Sequence, residues 1–240
     1  MAQIGTILGT ELIFGKQAMR DMMEVSEIDY TPYQSARGFF AMLRSGEAVP
    51  LSEVSGWHIH RLMDSKGMWF WQMLREEVGD DKFFGVLRSL TGGELVDPTL
   101  IELQDYFSQE TDQDLSVFFD QWLNRAGAPL INMEWHGVNP VGKNKWRNDA
   151  MHETLIFSTE EGQKQVSIAL TQEQKELYKL SPEVRLEFYR APAIVRTLDL
   201  SERQQTFVLD VEGMIKNVVL DPEHKILMWR PAYGPKPDLN

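Results

Sequence analysis

The 240-residue sequence contains no cysteine, which excludes disulfide bonds and thiolate metal sites. It is also poor in positive charge, because 24 lysine and arginine side chains stand against 36 aspartate and glutamate side chains, for a formal net charge of -12. An acidic surface repels phosphate backbones and anionic headgroups. We therefore expect neither nucleic acid nor a membrane surface as a partner.

Long apolar runs are absent as well, so no membrane insertion is predicted. The mildly apolar stretch from Ala2 to Phe14 lacks a basic leading region and is interrupted by Glu11, which argues against a signal peptide. Hydrophobic content of 42% and charged content of 25% are typical of a globular protein. The expected location is the cytoplasm, unless the chain belongs to something larger.

The first half of the chain, up to about Asn124, has apolar residues at helical spacing. The stretch from Lys66 to Val78 is apolar almost all round, which predicts a central buried helix. Capping rules place Asp80 and Asp81 at the N-cap of the next helix. Pro98, after Asp97, suits the first turn of another helix, and the last helix is predicted to begin at Asp112. Further apolar faces are Ile4, Ile7, Leu8 and Leu12; Met19, Met22 and Met23 after a break at Gly15; and Phe39, Phe40 and Leu43 in a segment that begins at Thr31 and Pro32.

From Leu130 onward the apolar period becomes two, with turn residues between short runs. Seven or eight short strands of this kind indicate an immunoglobulin-like β-sandwich. The predicted fold class is therefore α+β, with a helical domain over 1–127 and a β-sandwich domain over 128–240. The proline-rich tail over 230–237 is predicted to be an extended docking segment or a disordered end. The strands are predicted at 155–157, 166–170, 184–188, 194–198, 206–211, 218–220 and 226–228.

One ordered set of motifs resembles a known family. Lys66-Gly67 opens an apolar helix that ends in Leu74-Arg75, the run Gly79-Asp80-Asp81-Lys82-Phe83-Phe84 follows, and 118–123 reads Phe-Phe-Asp-Gln-Trp-Leu. These motifs resemble the helical part of the M1 (gluzincin) zinc aminopeptidases. Weaker matches at 15–20, 165–172, 204–207 and 219–222 extend the resemblance over nearly the whole chain. It implies a lobe like the C-terminal part of a thermolysin-like catalytic domain, followed by an immunoglobulin-like β-sandwich.

The zinc-binding half of that family is missing. The family holds zinc with His-Glu-x-x-His and a later Glu, and no His-Glu-x-x-His occurs in this sequence. By the resemblance, Met1 falls immediately after the last zinc ligand, so the ligands and the catalytic Glu would precede the chain. The family's oxyanion-stabilising Tyr is expected two residues before Lys66-Gly67, where Asp64 stands, and a carboxylate repels a developing oxyanion. A local insertion would bring His58 or His60 into this place, and the sequence leaves that alternative open.

We therefore predict no catalytic, cofactor-binding or metal residue, and we retain His58, His60, Asp64 and Lys66 as possible remnants of a cleft. If His58 and His60 lay on a strand they would share one face, but no third metal ligand is evident. Other candidates have simpler structural interpretations. Core packing is favoured for Trp57, Trp69 and Trp71, a solvated role for Glu76, Glu77, Asp80 and Asp81, and a turn for Gly92 and Gly93.

Two functions are compatible with these features. The first is an M1-like protein without a zinc site, non-catalytic on its own, which binds a protein partner or forms a homo-oligomer through the helical lobe. The face expected to be bare carries Ile4, Ile7, Leu8, Phe39, Phe40 and Leu43. The alternative is the C-terminal subunit or fragment of a zinc metallo-aminopeptidase whose His-Glu-x-x-His half, with its zinc, is on another chain. Peptide hydrolysis by this chain alone would need a metal-bound water that its sequence does not provide.

Overall fold

The computed structural model describes residues 2–25, 35–93, 98–138 and 164–238. Within them the chain is an α+β protein with seven α-helices and six strands, as the sequence predicts. The chain divides into two compact units. The first consists of Met1–Ile131, Gln172–Lys179 and Glu223–Asn240, and the second consists of Asn132–Thr171 and Leu180–Pro222. The helical unit therefore includes two later segments that a boundary at residue 127 assigns to the β-domain.

The helices all belong to the first unit. A π-helical turn (Met63–Gly67) joins the third helix to the fourth, and 3-10 turns occupy Leu51–Glu53 and Pro231–Tyr233. The α-helices are α1 (Ala2–Glu24), α2 (Ala36–Ser45), α3 (His58–Leu62), α4 (Met68–Val78), α5 (Asp80–Thr91), α6 (Leu100–Thr111) and α7 (Ser116–Leu123).

Helix α1 is a hairpin of two helical arms. Gly15 breaks it with φ 88° and ψ 167°, a backbone conformation that favours glycine. The Thr10 hydroxyl lies 3.5 Å from the sulfur of Met22, twelve positions later, whereas a straight helix would separate them by about 18 Å. The break predicted at Gly15 is confirmed.

The inner faces of both arms are buried, and α1 contacts α4, α2 and the π-helical turn. The face that the sequence suggested would be bare is therefore mostly covered within the fold. Ile4, Ile7, Phe39, Phe40 and Leu43 are all buried, and Leu8 is half-buried.

Helix α4 is the centre of the helical core, as predicted. Its residues from Met68 to Arg75 are all buried. The ring of Phe70 lies 5.3 Å from both Trp71 and Phe119, at steep interplanar angles. Edge-to-face geometry of this kind stabilises aromatic pairs beyond the area that they bury.

The helix start predicted at Asp80 is correct to within one residue, since α5 begins there, but the two other predicted starts are wrong. Gly79, not an aspartate, occupies the N-cap of α5, and Asp80 lies in the first turn. Thr99 caps α6 through a capping box with Glu102, so Pro98 precedes the helix, while Asp97 lies outside the described residues. Asp112 ends α6 in a left-handed conformation instead of starting α7.

The strands form two three-stranded sheets. One has the order β1-β2-β5 and the other β4-β3-β6. Alternate residues of β2 are buried, namely Val166, Ile168 and Leu170, and β2 pairs antiparallel with β5 so that Ile168 faces Phe207. The strands are β1 (Ile131–Val138), β2 (Lys164–Gln172), β3 (Glu183–Phe188), β4 (Ile194–Thr197), β5 (Gln204–Val211) and β6 (Ile215–Leu220).

The strand predicted at 226–228 is wrong. Residues 226–228 are not a strand but an irregular part of the helical unit, in which Leu227 and Met228 are buried. The expected strand at 155–157 and the helix start at Thr31 and Pro32 lie outside the described residues. The proline-rich tail docks on the helical unit, since Tyr233 is buried and stacks on Phe40 at 5.5 Å, but it forms a 3-10 turn at Pro231–Tyr233 instead of a fully extended segment. No helix in the described ranges is long and apolar enough to cross a bilayer.

Candidate functional site

The candidate cleft residues lie on one short stretch of backbone: α3, the π-helical turn and the start of α4. A π-helical turn accommodates an extra residue in a helix and occurs often at functional sites. Here it spans Met63–Gly67 and is fixed internally by the Ser65 hydroxyl, which donates to the carbonyl of Arg61 at 2.6 Å. This segment therefore carries all four side chains that the sequence indicates as possible remnants of a cleft.

The two histidines do not share a face. His58 and His60 lie on the helix α3, not on a strand, and side chains two positions apart on a helix point about 160° apart. His60 is exposed, while His58 is half-buried with its Nδ1 enclosed and without a hydrogen-bond partner in the described ranges. The pair therefore cannot bind one metal ion from a common face.

The described residues do not fit a zinc site. None of them form a group of three or more histidines or carboxylates placed to hold a metal ion. A structural or catalytic zinc needs at least three protein ligands.

Asp64 is held by the beginning of α1. Its Oδ1 accepts a hydrogen bond from Nε2 of Gln3 at 3.0 Å, and the residue is half-buried. The carboxylate stands where the family resemblance expects an oxyanion-stabilising hydroxyl. An anchored negative group at that position opposes the build-up of an oxyanion.

Lys66 does not line a cleft, although the sequence makes it a possible remnant of one. It is fully buried, and its ammonium donates to the carbonyl of Arg125 and, at 3.1 Å, to that of Gly127. The same group lies 5.6 Å from the ring centre of Phe39. Burial, reinforced by the charge of Arg125, lowers the pKa of Lys66 to about 7. Lys66 therefore joins the π-helical turn to the segment after α7.

The three tryptophans separate into two environments. Trp69 and Trp71 are buried on α4, and the indole N–H of Trp69 donates to the carbonyl of Met23 at 3.1 Å. Core packing is thus confirmed for these two. It is wrong for Trp57, which precedes α3 and is 82% exposed.

Arg75 organises the carboxylates at the end of α4. It is buried, and it binds Asp80 in bidentate fashion, with Nε to Oδ1 at 2.7 Å and Nη2 to Oδ2 at 3.0 Å. Glu11 of α1 binds the other side of the guanidinium. These contacts raise the pKa of Arg75 and hold the pKa of Asp80 below its usual value. Asp80 is exposed, as predicted, but it also pairs with a buried guanidinium. Burial raises the pKa of Glu77.

A small pocket lies beside Trp69. Two ion pairs neutralise charges along its lining: Arg20 with Glu223 at 2.7 Å, and Lys225 with Glu76 at 3.8 Å. Because these opposite charges are already paired, the pocket presents no strong attraction for a charged ligand. Its lining residues are Met19, Arg20, Met23, Trp69, Gln72, Glu76, Glu223, His224 and Lys225.

Sequence reasoning missed the partners of these groups. Gln3 binds Asp64 across 61 positions, Glu11 binds Arg75 across 64, and Lys66 binds the Arg125 carbonyl across 59. Helical periodicity carries no information about contacts at such separations. Backbone carbonyls, moreover, are present at every residue, so no residue type marks them as acceptors.

Comparison with known proteins gives a likeness at the level of fold. No protein-family profile matches the chain, and a search of curated proteins finds no match. Among solved structures, the chain is similar to Legionella pneumophila aminopeptidase A in complex with aspartic acid, with a TM-score of 0.62 at 12% sequence identity. The match covers 95% of this chain and 23% of that chain, so this chain spans less than a quarter of its structural neighbour. The protein thus has the fold of one part of an aminopeptidase.

Proposed function

We propose that this protein is a cytoplasmic, M1-aminopeptidase-like protein that does not catalyse on its own and acts by binding or assembly. The fold likeness to part of an aminopeptidase supports the aminopeptidase-like half of this proposal. The ordered motifs from Lys66-Gly67 to the Phe-Phe-Asp-Gln-Trp-Leu run support the assignment to the M1 kind. Immunoglobulin-like packing of the two sheets, and a location in the cytoplasm, belong to the same proposal.

The proposal that the chain is non-catalytic rests on the contacts that Asp64 and Lys66 make within the fold. Asp64 is hydrogen-bonded by Gln3, and Lys66 is buried against two carbonyls. Both groups therefore serve packing within the helical unit. A group that is fully buried and hydrogen-bonded to backbone has no access to a peptide substrate.

The test is an assay of the purified chain on aminoacyl p-nitroanilides, with and without added zinc. We expect no turnover above the uncatalysed rate, because no metal-bound water is available as the nucleophile. Activity that co-purifies with the chain and changes in Asp64→Asn or His58→Ala would contradict the proposal. His136→Ala, an exposed histidine of β1, is the matched control.

A second candidate is the C-terminal subunit of a split zinc aminopeptidase. It is favoured by the extent of the match, since this chain covers only 23% of its structural neighbour. Adding a chain that carries a His-Glu-x-x-His half distinguishes the two. Turnover that appears only in the mixture supports the split enzyme, whereas a complex that stays inactive supports a binding role.

A further inference from the structure

The small pocket beside Trp69 has a polar atom without a partner in its lining. Gln72 belongs to the buried part of α4, lines the pocket and is only 7% exposed. Its Oε1 is enclosed, and no residue in the described ranges donates a hydrogen bond to it. A buried acceptor without a donor costs free energy that an apolar side chain at the same position would not cost. Packing of the helical unit therefore does not explain a glutamine at this position.

The surrounding contacts fix this oxygen in its place. Nε2 of Gln72 donates to Oε1 of Glu76 at 3.0 Å, so turning the amide over would set its oxygen against a carboxylate. The indole N–H of Trp69 is engaged by the carbonyl of Met23. The two cations of the lining are each paired with a glutamate. The described residues around the pocket thus leave Oε1 of Gln72 able to accept a hydrogen bond from a molecule that enters.

We propose that the pocket binds a small uncharged carboxamide, whose N–H donates to Oε1 of Gln72. The free volume of the pocket is about 10 Å³, which accommodates one group of about the size of a water molecule, such as an amide nitrogen. Met19 and Met23 line the same pocket and offer apolar contacts to a short alkyl group. The ligand should carry no charge, because the charges of the lining already neutralise each other.

A carboxamide fits this lining better than an alcohol or an amine. An amine is protonated at neutral pH, and the paired charges offer it no net attraction. An alcohol has a single polar atom, which would be used by Gln72. A carboxamide has its donor and its acceptor on separate atoms, so its carbonyl can also accept from Arg20. The guanidinium of Arg20 has five N–H donors, and its ion pair with Glu223 is made through Nη1.

This site goes beyond the proposed function and does not depend on it. The pocket lies within the helical unit, and its lining includes none of the candidate cleft residues at 58–66.

The experiment titrates the full chain with propionamide and follows binding by saturation-transfer NMR. Butanone is the matched probe, because it has the same shape and number of heavy atoms but no N–H. We expect propionamide to bind and butanone to bind about tenfold more weakly, since butanone leaves the acceptor without a donor. Propionate should also bind weakly, because it is charged. This comparison uses the unmodified protein, so it does not depend on the folding of a variant.

A variant then tests the assigned acceptor. Gln72→Met keeps most of the side-chain volume and removes the acceptor, so it should weaken propionamide binding about tenfold and leave butanone binding unchanged. Gln109→Met, at an exposed glutamine of α6, is the matched control and should bind as wild type does. Circular dichroism verifies the folding of both variants. A capped tripeptide with a central glutamine that binds more tightly than propionamide would identify the carboxamide as a side chain of a partner, and weaker binding would identify it as a free small molecule.

Three results would overturn the proposal. They are the absence of propionamide binding, equal binding of propionamide and butanone, and an affinity for propionamide that is unchanged in Gln72→Met. A crystal structure grown with excess propionamide that shows only an ordered water beside Oε1 of Gln72 would overturn it as well. A chain that binds propionamide and also hydrolyses aminoacyl p-nitroanilides would contradict the proposed non-catalytic function and support this site.

Discussion

The ammonium of Lys66 donates a hydrogen bond to the carbonyl of Gly127 at 3.1 Å, across 61 positions of sequence. A second bond to the carbonyl of Arg125 fixes the same ammonium. The π-helical turn is thereby tied to the backbone that leaves α7. A residue expected near a substrate cleft instead connects two parts of the helical core, and the stability of the fold should depend on it.

Lys66→Met should destabilise the protein. Methionine preserves most of the side-chain volume but leaves two carbonyls without a donor, which costs about 1–3 kcal/mol in the free energy of unfolding. Urea denaturation followed by tryptophan fluorescence measures the change. Lys179→Met is the control, because the Lys179 side chain is exposed, and it should change the free energy by about 0.5 kcal/mol or less.

The stabilising effect of Lys66 should also depend on pH. Its folded pKa is about 7, against 10.5 in the unfolded chain. Between these values the unfolded chain binds a proton that the folded chain does not, so raising the pH favours the folded state. The difference in unfolding free energy between wild type and Lys66→Met should therefore grow from pH 7 to pH 10 and stay constant below pH 7. Parallel stability curves across this range would show that Lys66 keeps an ordinary pKa.

We predict that the purified chain contains far less than one zinc ion per molecule. His58 and His60 diverge on α3, and the described residues offer no cluster of three ligands. Elemental analysis after gel filtration measures the metal content, and the double variant with His58→Ala and His60→Ala should match wild type. Close to one zinc per chain, lost in the double variant, is the contrary result.

Two buried glutamines, Gln172 and Gln174, should contribute strongly to the free energy of unfolding. The side chain of Gln172 accepts from the backbone N–H of Tyr178 and donates to its carbonyl, both at 2.9 Å. Gln174 donates to Gln172 at 2.8 Å and accepts from the N–H of Leu130 at 2.8 Å. Gln172→Leu leaves several buried polar groups without partners and should cost about 3 kcal/mol.

Thermal and urea unfolding measure this loss. Gln165→Leu is the matched control, since Gln165 belongs to the same strand but its side chain bonds to Asp210 at the surface. We expect the control to change the unfolding free energy by about 0.5 kcal/mol or less. Equal losses in both variants would show that the buried network contributes nothing beyond strand pairing.

The fold could be predicted where apolar patterns are long. Helix α4 is apolar on almost every side over its first two turns, and β2 carries large apolar residues at the alternate positions Val166, Ile168 and Leu170, so both patterns specify their structures. Short patterns failed. Residues 226–228 are three apolar residues in a row, a run too short to separate a strand from irregular core. The backbone N–H of Leu227 donates to the sulfur of Met73 at 3.4 Å instead of to a neighbouring strand. The five-residue helix α3 was equally ambiguous.

The site was less predictable than the fold, for a different reason. The residue types at 58–66 identify candidate polar groups, but the roles of these groups depend on partners that are distant in sequence. Asp80 illustrates this. Its position after Gly79 is typical of a helix cap, yet Arg75, five positions earlier, binds its carboxylate. The carboxylate of Asp80 is thus bound by a buried guanidinium, while Gly79 occupies the N-cap position.

The ion pair of Arg75 and Asp80 gives a prediction in acid. The guanidinium lowers the pKa of Asp80 from 3.8, so the stabilisation from this pair is complete above pH 3.8 and is lost as the pH falls through the lowered value. Asp80→Asn should cost about 1 kcal/mol at pH 7, a modest value because the Asp80 side chain is 58% exposed.

At low pH, wild type and Asp80→Asn should converge, because protonated Asp80 resembles asparagine in charge. Urea denaturation at pH 7 and at pH 3 and below measures both differences. Asp81→Asn is the matched control, since Asp81 is the exposed neighbour in the same helical turn, and removing its charge should change little at either pH. A difference between wild type and Asp80→Asn that persists at the lowest pH would assign the effect to local packing, and Arg75 would then be held by Glu11 alone.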